Sequence, residues 1–482
     1  MDDEDGRDFE YPFELPPEEE ICFNDAGAIP GRLAGVPDSY DKGGSARWTP
    51  EAIAEVHALA RLGRYQVRGY NTFNKHLPTF DDLTFVPATM TRLPLEGYRE
   101  KCDTTTILGG GRGPDVVARP LKLKIPIYIA SMSFGALSAS AKAALGHGAS
   151  KVGTMTCTGE GGMLEEERTA SRQLVYQMSP ARYGIDLDHL RRADGLEIVV
   201  GQGAKPGTGG LLLGMKVSPR VSGMRTLPEG VDQRSTIRHP DFLGADDLSV
   251  KIEELRIATG YQVPISIKMG ATRPRFDVAI AAKAGADIVV VDGAEGGTGA
   301  SPELLLDHTG IPTISAIRAA REALDECGMT GTVSLVAAGG IRSGVDVAKA
   351  LALGADAVMI GTAAMIAMGC NSPRYPEDYQ KLGTAPGACH HCHTGLCPVG
   401  VATQDPELEA RMDPKAGAER VARFLTAMTM EVTALAKACG KSSVHNLEVE
   451  DLRALSFEAS AFTGVKMAGI DRAFDWHDRQ AP

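Results

Sequence analysis

Residues 263–299 read VPISIKMGATRPRFDVAIAAKAGADIVVVDGAEGGTG. Two short apolar runs, 263–270 and 287–299, flank a helix-length segment, FDVAIAAKAGA, and each run ends in glycine or polar residues. A run that is apolar throughout suits a strand buried on both faces, and a helix between two such strands implies parallel pairing through a right-handed crossover. The same texture recurs at 125–133 (IPIYIASMS), 152–162 (VGTMTCTGEGG), 174–178 (LVYQM), 196–207 (LEIVVGQGAKPG), 333–344 (VSLVAAGGIRSG) and 357–365 (AVMIGTAAM). Eight such units predict an α/β fold of the (β/α)8 TIM-barrel type. A doubly wound open sheet is the alternative. The barrel is favoured because polar and glycine residues gather at strand C-termini, where barrels build their sites. The span between Lys205 and Pro264 reads as an insertion after the fourth strand, on the face where long loops are functional.

Outward from the barrel, the sequence divides into further segments. Residues 1–48 form an acidic, Pro/Gly-rich arm, and 49–119 a helical and irregular region whose first helix starts at Thr49 with Pro50 in its first turn. The barrel is assigned to 120–369, a cysteine-rich segment to 370–404 and a C-terminal helical region to 405–482, which could pack on the barrel or on a partner. The 482 residues carry a formal charge of −12 and a pI near 5.5, which argues against nonspecific binding to nucleic acid or to an anionic membrane. No apolar run reaches the ~18 residues of a spanning helix. The start, MDDEDGRDFE, has acids where a secretory signal needs cations. A cytoplasmic protein is expected, with Cys22, Cys102, Cys157, Cys327 and Cys439 as free thiols.

Four groups of residues carry chemistry. Gly339 and Gly340 after strand seven, with Gly361 and Thr362 after strand eight, make a phosphate cradle, since glycine lets backbone N–H groups approach an anion closely. Lys268 lies in an apolar strand, where an idle lysine is rare; in a flavin-containing barrel it would steady the reduced ring. Gln202, Lys205 and Arg225 can offer donors to a carboxylate. Cys370, Cys389, Cys392 and Cys397 fall within 28 residues and include the pattern C-x2-C-x4-C-P. That soft set suits an iron–sulfur cluster, with zinc as the alternative.

The blocks IASMSFGALS (129–138), TGEGG (158–162), QGAKPGTGG (202–210), GAEGGTGASP (293–302), GGIRSG (339–344), GTAAMIAMGC (361–370) and CPVGVATQ (397–404) resemble the synthase domain of glutamate synthase over about 120–405. The resemblance implies FMN in the barrel and reductive amination of 2-oxoglutarate with ammonia to L-glutamate, electrons arriving through an iron–sulfur cluster. It implies Lys268 and Glu160 as catalytic residues, and Lys205, Arg225 and Arg182 as substrate-binding ones. FMN would be held by Ser131, Met132, Ser133, Thr158, Gln202, Lys268, Gly293, Gly297, Thr298, Gly339, Gly340, Arg342, Gly361 and Thr362. Cys370, Cys392 and Cys397 match the family's three cluster ligands. A long insertion separates the first two, and Cys389 within it is an added candidate, so a 3Fe-4S or a 4Fe-4S cluster is possible.

After QGAKPG the sequence departs from the family, with Thr208 and Leu211 in place of polar residues; Leu211 could make room for an N-alkyl group or be a packing change. The family's glutaminase nucleophile, its C-terminal β-helical domain and a nucleotide fingerprint have no counterpart here. Separate glutaminase-like or C-terminal-domain subunits, and a ferredoxin or reductase subunit, are therefore expected partners, in an oligomer. Two rival readings stand beside glutamate synthesis: the catalytic subunit of an N-methylglutamate synthase using methylamine, and a noncatalytic electron-relay or assembly subunit.

Overall fold

The structure is a computed structural model, and it describes residues 49–70, 72 and 76–470. The acidic arm, 1–48, lies outside the described residues. Contacts divide the described residues into two units: 67–372 with those from 390 onward, and those up to 66 with 373–389. The first unit is the barrel with its C-terminal helices. The second holds the helix Pro50–Leu62, capped by Thr49 as its sequence predicts, and the short helix Pro376–Lys381. Cys389 belongs to this second unit, whereas Cys370, Cys392 and Cys397 belong to the first.

Eight parallel strands build the barrel: β1 (Ile127–Ile129), β2 (Thr156–Cys157), β3 (Leu174–Met178), β4 (Gly195–Val199), β5 (Ile265–Gly270), β6 (Ile288–Asp292), β7 (Ser334–Ala338) and β8 (Ala357–Ile360). From β2 to β8 each strand pairs with its neighbours in sequence, and β8 pairs back onto β1, with Val358 opposite Ile127. The strand order never reverses, so the doubly wound alternative is not formed. Between β1 and β2 the barrel is stitched by the Ile129 N–H donating to the Met155 carbonyl, 3.1 Å, and by the Thr154 hydroxyl on the Ile127 carbonyl, 2.6 Å. The barrel is nearly closed, and most of its strands are buried on both faces, which is why they read as continuous apolar runs.

The lower interior is apolar, with Tyr128, Met155, Val175, Ile288, Val290 and Val336 in one cluster. An antiparallel pair, Thr106–Leu108 with Leu121–Leu123, feeds Leu108, Leu121 and Leu123 into that cluster. Gly109 at its turn has φ +74°, and a Cβ there would meet that of Pro264 at 2.4 Å.

Three helices matter for the site. These are α1 (Ala139–Val152), α2 (Thr362–Met368) and α3 (Pro414–Ala438). The C-terminal region packs on the barrel: α3 lies on α1 so closely that a Cβ on Gly148 would sit 2.8 Å from Val421 Cβ. Residues 452–454 then pair antiparallel with 83–85. No helix among the described residues is long and apolar enough to cross a membrane.

Candidate active site at the barrel mouth

The barrel interior changes character toward the strand C-termini, where apolar packing gives way to charge below a cavity of about 510 Å3. Lys268 of β5 and Asp292 at the end of β6 meet there, Nζ to Oδ2 3.6 Å, with the Met359 sulfur 3.6 Å from the same Nζ. Burial opposes the charge on Lys268, but Asp292 and then Glu197 outweigh it and hold the lysine above its ordinary pKa. Glu197 of β4 is buried and accepts from the Ser131 hydroxyl and the Gln177 amide, each at 2.7 Å. Sequence reasoning missed Glu197 and Asp292, although a carboxylate inside LEIVV or IVVVD is as conspicuous as the lysine it did single out.

One rim of the cavity is backbone. Gly339 and Gly340 have φ +104° and +70°, and a Cβ on Gly340 would lie 2.7 Å from that of Glu295. On the loops after the two neighbouring strands, Gly297, Thr298, Gly361 and Thr362 also line the cavity, and a Cβ on Gly297 would come 2.8 Å from the Thr362 hydroxyl oxygen. Gly293 does not line it; its N–H donates to Ala338, and a Cβ would collide with Thr313. Arg342 reaches the rim, yet its guanidinium is held by Asp346 at 3.1 Å and Asp81 at 2.7 Å. Ser131, Met132 and Ser133, after β1, line the cavity next to the Gly361 turn. Thr158 lies behind them, wholly buried, accepting from the Gln177 N–H at 3.0 Å. The loops after β1 and β2 are tied by Lys142 of α1, whose Nζ donates to the Met132 and Thr158 carbonyls and pairs with Glu167 at 2.8 Å. Gln202 faces the cavity, and its buried Oε1 has no partner among the described residues.

The outer wall comes from the insertion. Lys205 is buried, donates to the Ala300 carbonyl at 3.0 Å, and has its pKa lowered to about 8 by burial, with Glu160 opposing the shift. The Glu160 carboxylate accepts from the Ser235 hydroxyl. Arg225 lines the cavity as well; its terminal nitrogens donate to Gln233 at 3.2 Å and to the Phe134 carbonyl at 2.8 Å, while its buried Nε has no partner among the described residues. Leu211, Leu212, Leu213 and Ile237 add an apolar stretch to the same wall. Arg182 does not line the cavity; it sits at φ +61° and pairs with Asp241.

Cys392 and His393 also border the cavity. Beside Cys392 lies Lys216, buried, donating to the Cys392 and Ala136 carbonyls at 2.8 Å each. Burial lowers its pKa to about 8, and the thiols of Cys392 and Cys397 oppose that shift. Cys370 follows α2, and its sulfur lies 3.3 Å from the Tyr70 hydroxyl. Burial raises the Tyr70 pKa, and the thiols of Cys370 and Cys392 raise it further. Tyr70 and Lys216 thus have the three thiols around them. Among the described residues no group of three or more His, Cys, Asp or Glu side chains is arranged to hold a single metal ion.

The family model described as the conserved region in glutamate synthase matches residues 63–442. A glutamate synthase large subunit-like protein of Rhizobium meliloti (strain 1021) is 55% identical over 425 residues, 88% of this chain and 95% of that one. An archaeal glutamate synthase (NADPH) of Methanocaldococcus jannaschii is 35% identical over 448 residues, 88% of this chain and 85% of that one. Among solved structures, a variant of flavocytochrome b2 with sulfite bound is 16% identical at a TM-score of 0.49, covering 89% of this chain and 91% of that one.

Proposed function

The chain belongs to the glutamate synthase family and is an oxidoreductase of it, and on that premise we propose that it reduces 2-iminoglutarate, formed from 2-oxoglutarate and ammonia, to L-glutamate. The observation that carries the reading is the convergence, in one cavity, of the Lys268 floor, the two glycine turns, the Lys205 wall and Cys392.

FMN fits the residues present. The orphaned Gln202 amide oxygen and the Lys268 ammonium suit the polar edge of a flavin ring. The turns at Gly339–Gly340 and Gly361–Thr362 line the cavity with glycine backbone, which suits a phosphate. The soft donors Cys370, Cys392 and Cys397 fit an iron–sulfur cluster. Bound FMN supplies the electron pair for the imine carbon, and the cluster supplies single electrons to the flavin.

The chain's own residues bind, orient and carry protons. Lys268 would supply a fixed positive charge to the polar edge of a bound flavin, where negative charge accumulates on reduction. Lys205 takes a carboxylate of the oxoacid. Glu160, oriented by Ser235 on the same wall, stands to pass a proton to the amino nitrogen. Arg225 orients the loop around them through Gln233 and Phe134. Ammonia from a glutaminase-like subunit and electrons from a ferredoxin or reductase subunit complete the proposal.

The leucine wall favours a second reading, in which methylamine replaces ammonia and the N-methyl group rests against Leu211. Both are tested by supplying flavin-loaded protein with a reduced carrier, 2-oxoglutarate and either amine. Glutamate from ammonia supports the first reading, and N-methylglutamate the second. No product from either would overturn the enzymatic proposal for this chain.

A further inference from the structure

Tyr70 ends the strand Val67–Tyr70, which pairs antiparallel with Thr298–Pro302. Its surroundings fix it in place. Arg68 is buried and pairs with Glu303 at 2.5 Å and Asp307 at 3.4 Å, and the Gly69 N–H donates to the His390 carbonyl at 2.9 Å. A Cβ on Gly69 would lie 3.2 Å from Cys392 Cβ, so the strand runs directly against the cysteine loop. The next residue breaks the extended backbone. Tyr70 has φ +73°, an uncommon conformation for a bulky side chain, and Asn371 on the opposing loop has φ +60°. Such strain persists only where the surroundings impose it, and it concentrates at functional positions.

The two strained residues meet at one sulfur. The Tyr70 oxygen lies 3.3 Å from Cys370 Sγ and accepts from Asn371 Nδ2 at 2.9 Å, while the same amide nitrogen lies 3.6 Å from Cys370 Sγ. An amide NH2 group only donates, so it takes a lone pair of the phenol oxygen and leaves the phenol's single proton for the sulfur. We propose that Tyr70, oriented by Asn371, donates a hydrogen bond to the Cys370 thiolate and raises the reduction potential of the cluster that Cys370 ligates. The proposal rests on the cluster reading given above. A donor on a ligand sulfur draws charge away from the metal core and stabilises the reduced, more negative state. Tyr70 acts through Cys370 and is therefore a positioning residue. It lies beside the cavity too, since a Cβ on Gly297 would come 3.6 Å from the Tyr70 backbone, so a change at this phenol bears on electron delivery to the proposed flavin.

The test is a redox titration, followed by electron paramagnetic resonance, of the reconstituted wild type and of Tyr70→Phe, with iron and sulfide measured first. The phenylalanine keeps the ring and removes the hydroxyl. The expected result is equal iron and sulfide, with the cluster harder to reduce by about tenfold, or about 59 mV for a one-electron couple. An unchanged potential at equal cluster content would overturn the proposal. Asn371→Gly supplies a second arm should Tyr70→Phe fail to load: glycine accepts the positive φ, the amide is lost, and a smaller fall in potential is expected. No fall in that variant also counts against the proposal. A wild type that takes up neither iron nor sulfide sinks the cluster reading itself, and this proposal with it.

Discussion

Lys268 on the cavity floor and Lys205 on its outer wall are equally buried, 4% and 5% exposed, yet their surroundings drive them in opposite directions. Lys268 faces Asp292, with Glu197 close by, and burial is outweighed; Lys205 has a carbonyl at 3.0 Å and a more distant Glu160, and burial wins. The floor therefore holds a permanent cation, whereas the wall holds one that loses its proton near pH 8. A carboxylate partner inside the barrel decides which kind of lysine results. The division suits the proposed chemistry, in which a flavin needs charge at all times and a substrate that comes and goes needs it only when bound.

The largest expected effect comes from breaking the floor. Lys268→Met removes a preorganised charge from the cavity floor and is expected to cut kcat by about 100- to 1,000-fold, with the potential of bound FMN falling as well. Wild-type turnover in that variant would place the functional charge elsewhere.

Removing the wall cation has a smaller and different consequence. Lys205→Met is expected to weaken 2-oxoglutarate binding by about 10- to 100-fold, from the ~1.5–3 kcal/mol of a charged hydrogen bond, leaving the flavin potential where it was. Equilibrium binding and flavin potentiometry on the same samples separate the two lysines; a common loss of both properties would erase the contrast between floor and wall.

Folding stability gives the wall lysine another signature. Its folded pKa of about 8 lies below the ordinary 10.5, so between those values the unfolded chain binds more protons and stability rises with pH. In Lys205→Met that rise should flatten, as measured by denaturant titration across the window. An unchanged slope would show that Lys205 does not titrate there. The smallest effect is assigned to Leu211→Gln, which should shift the preference between methylamine and ammonia by about fourfold, from the ~0.8 kcal/mol of one buried methyl-sized group. Competition between the two amines measures it, and no shift removes Leu211 from amine selection.

Much of this architecture is legible in the sequence because parallel barrel strands are buried on both faces. Each appears as a compact apolar run, and the charged residue that interrupts one, such as Lys268, stands out. The glycine turns are equally legible, since each needs a backbone that other residues resist. What escapes is whatever depends on a partner far along the chain. Tyr70 and Cys370 lie 300 residues apart, and Lys216 and the Cys392 carbonyl 176, and nothing local in either stretch announces the meeting. Arginines mislead for the same reason. Arg182 reads as a free carboxylate binder, but it pairs with Asp241, whereas Arg225 spends only its terminal nitrogens on Gln233 and the Phe134 carbonyl. A donor's availability is a property of the fold.

The most direct test of the central claim is a visible-spectrum titration of flavin-loaded protein with 2-oxoglutarate on either side of pH 8. The account predicts that flavin stays bound on both sides, held by a floor that does not titrate, while the affinity for 2-oxoglutarate falls as Lys205 loses its proton, an inflection that moves upward in Lys205→Arg. Flavin release in step with that titration, or 2-oxoglutarate binding indifferent to it, would contradict the division between floor and wall.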